Sequence, residues 1–598
     1  MICNFKIIRS SIAIICILFI SSFLFAQTIT NEGFLLDFAA DKEAIYLQNR
    51  AEVEEYARKN NIPVSQELSD GTFIEIHHID NGKPYYYMTN NSGAAQTTRA
   101  DELWPGGSLG LSVTGSGYTK LGEWDAGGIL LTHQEFGSRV TQVDAPASTH
   151  YHATHVAGTL VAAGVVPSAK GMAYQGNLNA YDWDNDNAEM AIAAAAGMEE
   201  SNHSYGFVTG WSNNYWYGDI SISIDEDVWF GYYSSYTADW DDIAYNAPYY
   251  LIVKSSGNDR NDDWSGGHYH YDGGWVYATD SHGPDGGVSG YDCIPTKGVA
   301  KNILTVGAVN QVTSYSSPGD VTMSSFSSWG PADDGRIKPD IVGKGVSVYS
   351  TDDDNNSDYR TLSGTSMSAP NVTGTCALLQ QHYQNTHSAA SMRSATLKGL
   401  ALHTADEAGS AVGPDYTYGW GLMNAERAAE LISYDSYGNN IIDEQVLSNG
   451  GTYTRSINSD GSKPLRVTIC WTDPKGTPVS SNYLNNRTAM LVNDLDLKLT
   501  ENSTTYYPWN LDPDNPSNAA TNIGENNIDN VEQVYIASPT AGTYSIEVSH
   551  DGSLSGGSQA FSIIVSGNND DECKNGGIIY NTATNSFNFC EDGVWIEK

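Results

Sequence analysis

Residues 362–370 read LSGTSMSAP and run directly into the apolar segment NVTGTCALLQQHY. The spacing of apolar and small residues in that segment predicts a buried helix, with Ser366 in its first turn. Unpaired backbone N–H groups and the positive end of the helix dipole lie at the start of a helix, where they stabilise an oxyanion that forms beside a nucleophilic hydroxyl. The stretch therefore predicts a nucleophilic serine at a helix N-terminus.

A serine hydroxyl needs a base to accept its proton, and the chain offers histidines upstream. Residues 150–157 read HYHATHVA, which places His150, His152 and His155 close together. Further upstream, Asp125 stands in WDAG and could orient the base. Glu123 is a rival for that role, because strand alternation places it on the same face as Asp125.

These blocks resemble the subtilase family of serine peptidases, whose Asp, His, Ser order they share. GTSMSAP is similar to the family's GTSMAxP except at Ser368 and Ala369, and HATHVAGT is similar to its HGTHVAGT except at Ala153. The Asp125 block is the looser match, since Ala126 stands where the family usually has a hydroxyl residue. The resemblance implies a triad of Asp125, His152 and Ser366.

The resemblance also assigns the residues around the triad. Asn258, in SSGN, matches the asparagine that donates to the oxyanion. Ser204, Tyr205 and Gly206 resemble the edge to which a peptide substrate adds as a strand, and Ser255, Ser256 and Gly257 resemble the wall of the pocket before the cut.

A zinc centre is the alternative for the histidines, but the chain has no HExxH pattern, and His268 and His270 could complete such a centre only if the fold brought them close.

The length of 598 residues is too great for one core and predicts several domains. Residues 1–26 have a basic start and a short apolar run, which predicts a secretory signal peptide; a membrane anchor is the alternative. Loss of its two positive charges moves the formal charge from −41 to −43, which excludes a general binder of nucleic acid. No other stretch is apolar enough to predict a membrane span.

The hydrophobic pattern divides the rest of the chain. The pattern of residues 27–94 predicts a small α+β unit with a helix over 41–60 and a hairpin at Asn81-Gly82. The resemblance implies that this unit is a propeptide that ends within 90–98. A permanent accessory domain is the alternative. Residues 95–435 alternate strands (118–124, 178–183, 250–255, 303–309) with helices (152–163, 187–198, 388–402), which predicts an α/β domain around a parallel sheet. Residues 436–566 predict a β-sandwich, which resembles the jelly-roll domains of some bacterial subtilases, and residues 567–598 form a tail.

Several side-chain groups remain outside the triad. The aromatic residues within 205–248 either pack a surface excursion or line the substrate cleft. Cys573 and Cys590 predict a disulfide in an exported chain, whereas Cys376 predicts a buried small residue. The family resemblance implies structural calcium, for which the candidate ligands are Asp182, Asp184, Asp186, Asp494 and Asp496; helix capping explains the first three equally well.

Two functions follow from this sequence. The first is a secreted, monomeric serine endopeptidase that acts on proteins or peptides and is inhibited by its own propeptide until maturation. The second is a catalytically silent protein of the same fold that binds a surface or a polysaccharide. An inactive relative would be expected to lack one of the four groups Asp125, His152, Asn258 and Ser366, and all four are present.

Overall fold

The computed structural model describes residues 29–67, 73–80, 83–89, 95–439, 441–568, 578–581, 586–591 and 594–597. The predicted signal peptide, the Asn81-Gly82 turn and Cys573 of the predicted disulfide lie outside these residues. Within them, no helix combines the length and the apolar character that crossing a bilayer requires.

The N-terminal unit is a helix packed on antiparallel strands. It consists of α1 (Glu32–Asn60), β1 (Ser65–Glu67), β2 (Phe73–Asp80) and β3 (Lys83–Thr89). The predicted hairpin is confirmed, because β2 and β3 pair with Asp80 opposite Lys83. The helix begins earlier than predicted: the Asn31 side chain accepts the Phe34 N–H at 3.2 Å, and Leu35 is buried against the next domain.

The second domain contains most of the helices and the parallel sheet. Its elements in chain order are α2 (Ala95–Thr98), β4 (Leu121–Asp125), β5 (Val140–Gln142), α3 (Tyr151–Val161), β6 (Leu178–Asp182), α4 (Asp186–Ala195), β7 (Glu200–His203), β8 (Tyr205–Phe207), β9 (Trp211–Ser212), β10 (Tyr215–Asp219), α5 (Ser235–Asn246), β11 (Leu251–Ser255), β12 (His268–Tyr271), β13 (Trp275–Ala278), β14 (Leu304–Val309), β15 (Ile341–Lys344), β16 (Val348–Thr351), β17 (Tyr359–Leu362), α6 (Thr365–Thr386), α7 (Ser394–Thr404) and α8 (Ala425–Tyr434).

Seven of these strands form one sheet in the order β15-β14-β11-β7-β4-β6-β5, and every neighbouring pair is parallel. The predicted α/β class is therefore confirmed. β6 and β5 lie on one side of β4, whereas β7 and β11 lie on the other, so the strand order reverses at β4. The carboxyl ends of β4, β7 and β11 therefore lie at a topological switch point, where ligands bind in folds of this class.

The helix α6 is the centre of the main core. Val372, Cys376 and Leu379 are fully buried and share a hydrophobic cluster with Val253 of β11 and Val306 of β14. Burial also raises the pKa of the Cys376 thiol, which confirms its role as a packing residue. Because the whole first half of α6 is held in this way, the position of Ser366 is fixed by packing behind it.

A smaller sheet forms an excursion from this domain, with strand order β13-β12-β10-β9. Two of its tryptophans, Trp211 and Trp216, are buried, as is Trp240 of α5. Burial gives these three side chains a packing role, and both interpretations of the aromatic segment stay predictions.

The third domain is the predicted β-sandwich. Its strands are β18 (Ile442–Ser448), β19 (Tyr453–Ser459), β20 (Leu465–Cys470), β21 (Leu495–Glu501), β22 (Thr504–Tyr506), β23 (Val531–Ile536), β24 (Gly542–His550) and β25 (Ser558–Ser566). They form two four-stranded antiparallel sheets, β18-β25-β20-β23 and β19-β24-β21-β22, around one core that includes Trp471 and Tyr544. The jelly-roll assignment stays a prediction. Three short antiparallel strands follow in the tail, β26 (Ile578–Asn581), β27 (Ser586–Glu591) and β28 (Val594–Glu597).

Candidate active site

Asp125 and His152 lie in direct contact at the switch point. Asp125 is the last residue of β4, and His152 lies in the first turn of α3. The Nδ1 of His152 is 2.6 Å from Oδ1 of Asp125, and both side chains are buried. An N–H on Nδ1 donates to the carboxylate in this geometry, which leaves Nε2 as the nitrogen that can accept a proton.

The other two histidines of the segment have structural contacts. His150 caps α3, with its ring accepting the His152 backbone N–H at 3.2 Å. The Nε2 of His155 donates to the carbonyl of Arg360 at 3.2 Å, and burial lowers the pKa of His155 to about 3. His155 is therefore a neutral core residue.

Glu123 does not orient His152. Its two carboxyl oxygens are buried without a hydrogen-bond partner, and burial, followed by repulsion from Asp125, raises the pKa of Glu123 well above its ordinary value. A neutral carboxyl group beneath Asp125 is the physical consequence.

Ser366 is the second residue of α6, behind its N-cap Gly364. Its hydroxyl donates to the backbone carbonyl of Ser204 at 2.8 Å, and the Ser204 hydroxyl donates back to the carbonyl of Ser366 at 2.7 Å. These reciprocal bonds fix the start of α6 to the segment between β7 and β8. A serine hydroxyl has one hydrogen, so the Ser366 Oγ–H must rotate away from Ser204 before it can donate to His152.

Asn258 is tied to the same helix start. Its Oδ1 accepts the backbone N–H of Thr365 at 2.8 Å and the Thr365 hydroxyl at 3.0 Å. Because the carbonyl oxygen of the amide is held by two donors, the NH₂ group on the opposite side is the free donor of this side chain. The amide donor is thus placed one residue from the proposed nucleophile.

The two halves of the candidate site meet because α3 packs on α6. Ala153, next to His152, and Met367, next to Ser366, belong to one hydrophobic cluster together with Val156 and Ala377. The geometry therefore brings the Asp125–His152 pair and the Ser366–Asn258 pair to one end of the parallel sheet.

A pocket opens directly beside Ser366. It is lined by Tyr205, Gly206, Phe207, Lys254, Ser255, Gly257, Asn258, Asp259, Pro295, Thr365 and Ser366. Of the predicted substrate residues, Tyr205, Gly206, Ser255 and Gly257 line it, whereas Ser204 and Ser256 do not. Gly257 has φ of +107°, and a Cβ there would lie 2.5 Å from Oδ2 of Asp259, so the wall of the pocket requires glycine at this position.

Two ionisable residues of this pocket were missed from the sequence. The Nζ of Lys254 donates to the carbonyls of Tyr205 at 2.5 Å and Ser255 at 3.2 Å, and burial lowers the pKa of Lys254 to about 7. Burial raises the pKa of Asp259 to about 7. The available signal was their position on either side of the SSGN segment, since Lys254 directly precedes it on β11 and Asp259 directly follows it.

The strand β8 has a partner from the N-terminal unit. β3 pairs with it in antiparallel register, with Tyr87 opposite Phe207, Met88 opposite Gly206 and Thr89 opposite Tyr205. The edge that the resemblance assigns to a peptide substrate is therefore occupied along these three residues by the chain's own backbone.

The five predicted metal carboxylates have different surroundings. Asp186 is buried and accepts from Lys297 at 2.7 Å and from the Tyr205 hydroxyl at 2.9 Å, so its charge is already compensated. Asp182 accepts the Asp184 backbone N–H at 2.9 Å, and Asp184 lies 3.8 Å from Arg50.

The two candidate metal ligands in the β-sandwich, Asp494 and Asp496, have unpartnered carboxylate oxygens, unlike Asp186. Asp494 and Asp496 each keep a buried carboxylate oxygen without a hydrogen-bond partner, and their pKa values are raised to about 7 and about 6, first by burial and then by neighbouring carboxylates. These two residues retain free donor atoms for a hard cation.

A second pair with free oxygens was missed from the sequence. Asp333 is buried and Asp292 is half-buried next to Gly231, and both have buried carboxylate oxygens without a hydrogen-bond partner. Burial, followed by repulsion from Glu226, raises the pKa of Asp292 to about 8. Burial, followed by repulsion from Asp292 and Glu226, raises the pKa of Asp333 to about 9. The two residues are far apart in the sequence, and no motif connects them.

Residues 132–421 match the sequence model of the subtilase family. The matched range contains His152, Asn258 and Ser366. Asp125 lies just before this range, and its 2.6 Å contact with His152 connects it to the candidate site. The chain contains a subtilase domain. The fold expected from the resemblance is confirmed.

Curated relatives share parts of this chain. The serine protease/ABC transporter B family protein tagA of Dictyostelium discoideum is 22% identical over 571 residues, which cover 79% of this chain and 31% of that protein. A C5a peptidase of Streptococcus pyogenes is 33% identical over 189 residues, which cover 30% of this chain and 16% of that protein. The chain thus spans less than a third of the length of either relative. Among solved structures, the self-cleaved protease domain of PatA is similar to 54% of this chain and covers 98% of its own, with 18% identity and a TM-score of 0.38.

Proposed function

We propose that this chain is a secreted serine endopeptidase that hydrolyses peptide bonds through an acyl-enzyme on Ser366. The observation that carries the proposal is the 2.6 Å contact between His152 Nδ1 and Asp125 Oδ1, at the same end of the sheet as Ser366 and the amide of Asn258. Secretion rests on the signal-like pattern of residues 1–26.

In the first half of the reaction, Nε2 of His152 takes the hydroxyl proton while Oγ of Ser366 bonds to the substrate carbonyl carbon. Asp125 fixes the tautomer of His152 and stabilises the imidazolium. The amide NH₂ of Asn258 and the backbone N–H of Ser366 donate to the oxygen that becomes negative. The C–N bond then breaks, and the imidazolium gives its proton to the leaving amine.

In the second half, a water molecule attacks the acyl carbon as His152 accepts one of its protons. The C–O bond to Ser366 breaks, the carboxylic acid leaves, and the proton returns from His152 to Oγ of Ser366. All atoms and protons of the enzyme are restored, and one water is consumed for each peptide bond.

Substrate binding in this proposal uses the edge of β8. A peptide that adds as an antiparallel strand to Tyr205–Phe207 pairs through its backbone, which admits many sequences. The pocket beside Ser366 then receives the side chain before the cut, with Lys254 and Asp259 at its wall.

We further propose that the N-terminal unit is an inhibitory propeptide. The pairing of β3 with β8 supports this proposal, because it blocks the strand to which a substrate would add. Maturation would then cut within residues 90–98, whereas a permanent accessory domain would remain attached. N-terminal sequencing of the secreted protein separates the two: a first residue near 28 contradicts the propeptide.

Calcium belongs to the proposal as a structural ion. The unpartnered oxygens of Asp494 and Asp496 and those of Asp292 and Asp333 fit a hard cation, whereas the ion pair with Lys297 makes Asp186 a poor ligand. A bound ion would offset the repulsion between the carboxylates around each pair, and backbone carbonyls or water would complete the coordination.

Casein hydrolysis by the mature protein tests the function. The wild type should cleave casein, a sulfonyl fluoride should stop the cleavage, and Ser366→Ala should be inactive while it remains folded. A silent surface- or polysaccharide-binding protein, the alternative, would cleave nothing and would not react with the inhibitor.

A further inference from the structure

We propose that the excursion sheet carries a structural zinc site formed by His268, His270, Asp280 and His282. Among the described residues, this is the one group of three or more histidine, cysteine or carboxylate side chains whose potential ligand atoms all lie within 4.8 Å of one another. The proposal does not depend on the peptidase activity, because none of the four residues belongs to the candidate active site.

The fold of the β12–β13 hairpin assembles this group. His268 and His270 alternate along β12, which places both on the same face of the strand. β13 returns antiparallel with Ala278 opposite His268, so the chain that follows it brings Asp280 and His282 back to the same end of the hairpin.

The separations between ligand atoms fit tetrahedral coordination. Zinc bonds of about 2.0–2.1 Å to nitrogen and oxygen place tetrahedral ligand atoms about 3.3–3.4 Å apart. Nδ1 of His270 is 3.3 Å from Nε2 of His282, and Nε2 of His268 is 3.4 Å from Oδ1 of Asp280. Oδ2 of Asp280 lies 3.7 Å from Nδ1 of His270 and 4.0 Å from Nε2 of His282. All separations in the set are within 4.8 Å, so inward movements of the side chains are needed to reach the tetrahedral distances.

Hydrogen bonds on the outer side of two rings direct their lone pairs inward. Nδ1 of His282 is 2.7 Å from the carbonyl of Ile224, and Nδ1 of His268 is 3.2 Å from the carbonyl of Gly266. A carbonyl only accepts, so each Nδ1 carries the proton and each Nε2 of the neutral ring presents a lone pair. Metal-binding histidines are commonly held by this kind of outer contact.

The lone pair of His268 then has no partner of its own. Nε2 of His268 is buried without a hydrogen-bond partner, and it faces the Asp280 carboxylate, which is also an acceptor. His268, His270 and His282 are only 1%, 8% and 6% exposed, so water does not easily separate the acceptors. A cation at the centre relieves this repulsion.

Packing holds the rings in this orientation. Trp216 is fully buried and stacks on His282 with ring centroids 4.0 Å apart and an interplanar angle of 3°. Trp211 packs edge-on against His268 at 5.2 Å. A donor set of three imidazoles and one carboxylate suits zinc better than calcium, which prefers oxygen ligands. With all four positions filled by the protein, the ion has no open site and acts as a structural link of the excursion.

The protonated alternative is an ion pair between imidazolium His268 and Asp280, which would need no metal. Metal content separates the two. The full secreted chain, carrying Ser366→Ala to prevent autolysis, is stripped with a chelator, exposed to Zn²⁺, freed of excess metal and measured by elemental analysis. We expect one Zn²⁺ per chain and an X-ray absorption spectrum with nitrogen and oxygen scatterers at about 2.0–2.1 Å.

Three substitutions locate the site. His268→Gln and His282→Gln should abolish stoichiometric zinc, and Asp280→Asn should weaken zinc binding at least about tenfold. Asp280 is half exposed, so its variant provides the test if the buried histidine variants fail to fold. The matched control is His387→Gln, which alters another histidine beside a carboxylate, Asp435 at 3.1 Å, and should bind zinc like the parent.

Thermal unfolding gives a readout independent of metal content. Zn²⁺ should raise the Tm of the stripped parent and of His387→Gln, should raise that of Asp280→Asn by less, and Mg²⁺ should not replace it. A parent protein that binds less than a tenth of an equivalent of zinc after exposure overturns the proposal. An Asp280→Asn variant with unchanged zinc affinity overturns the ligand assignment.

Discussion

Asn258→Asp separates the oxyanion role of this side chain from its structural role. The Oδ1 of Asn258 accepts two hydrogen bonds from Thr365, and aspartate keeps an oxygen in that position. The substitution replaces only the NH₂ group, so the donor to the oxyanion becomes an acceptor. Loss of one such donor raises the barrier by about 3–4 kcal/mol, which corresponds to a decrease in kcat of about 10²–10³-fold.

The assay is steady-state hydrolysis of a fluorogenic peptide that the wild type cleaves. kcat should fall by at least the factor above while KM changes little, because the donor acts on the charge that develops in the transition state. Asn258→Ala should lose a similar factor in kcat and should also have a lower Tm, since both bonds to Thr365 disappear. Asn502→Asp, in the turn between β21 and β22, controls for the added charge. A kcat within about threefold of wild type would refute the reasoning.

Three further outcomes follow from the structure. Asp125→Asn should lower kcat about 10⁴-fold in the same assay, because the amide would support the wrong tautomer of His152, and a decrease below tenfold would contradict the pairing. Glu123→Gln should become more stable relative to wild type as pH rises above about 4.3. The pKa of Glu123 is raised in the folded state, so the folded wild type keeps a proton that the unfolded chain has lost. The free energy of unfolding of wild type should therefore fall relative to the variant by up to about 1.4 kcal/mol per pH unit. Urea unfolding at pH 5 and 8 measures this, and a difference that does not change with pH would show that Glu123 is ionised in the fold. Added Ca²⁺ should raise the Tm of wild type, and Asp333→Asn and Asp494→Asn, compared separately, should each reduce that increase if both pairs bind the ion; an unchanged response in a variant excludes its pair.

The sequence predicted the parts of the site that sit in short motifs at element ends. Ser366 opens α6, His152 opens α3, and Asp125 ends β4, so local helix and strand patterns were enough to place them at one edge of a parallel sheet. The hairpin after Asp80 was likewise predictable, because its turn chemistry is local.

Contacts between distant segments could not be predicted in this way. Asp186 looked like a metal ligand or a helix cap, yet its partner Lys297 comes from a segment with no local relation to it. The helix predicted over 388–402 begins at Ser394, because Ser388 and Ala389 adopt left-handed conformations that separate α7 from α6.

The proposed zinc site could be predicted from the sequence only in part. His268 and His270 alternate within a strand-like stretch, and the Asp272-Gly273 pair that follows is a hairpin signal. A hairpin at this turn would return the chain antiparallel and bring Asp280 and His282 close to the two histidines. From the sequence, the two histidines were predicted only as additional ligands for the segment around His152, so the group with Asp280 and His282 was not predicted.

Reaction with a fluorophosphonate, followed by peptide mapping, tests the central claim most directly. The reagent should form one covalent adduct, on Ser366, in the mature wild type, and the adduct should be strongly reduced in Asp125→Asn because the base is no longer oriented. Equal labelling of wild type and Ser366→Ala, or an adduct on another residue, would contradict the assignment of Ser366 as the nucleophile.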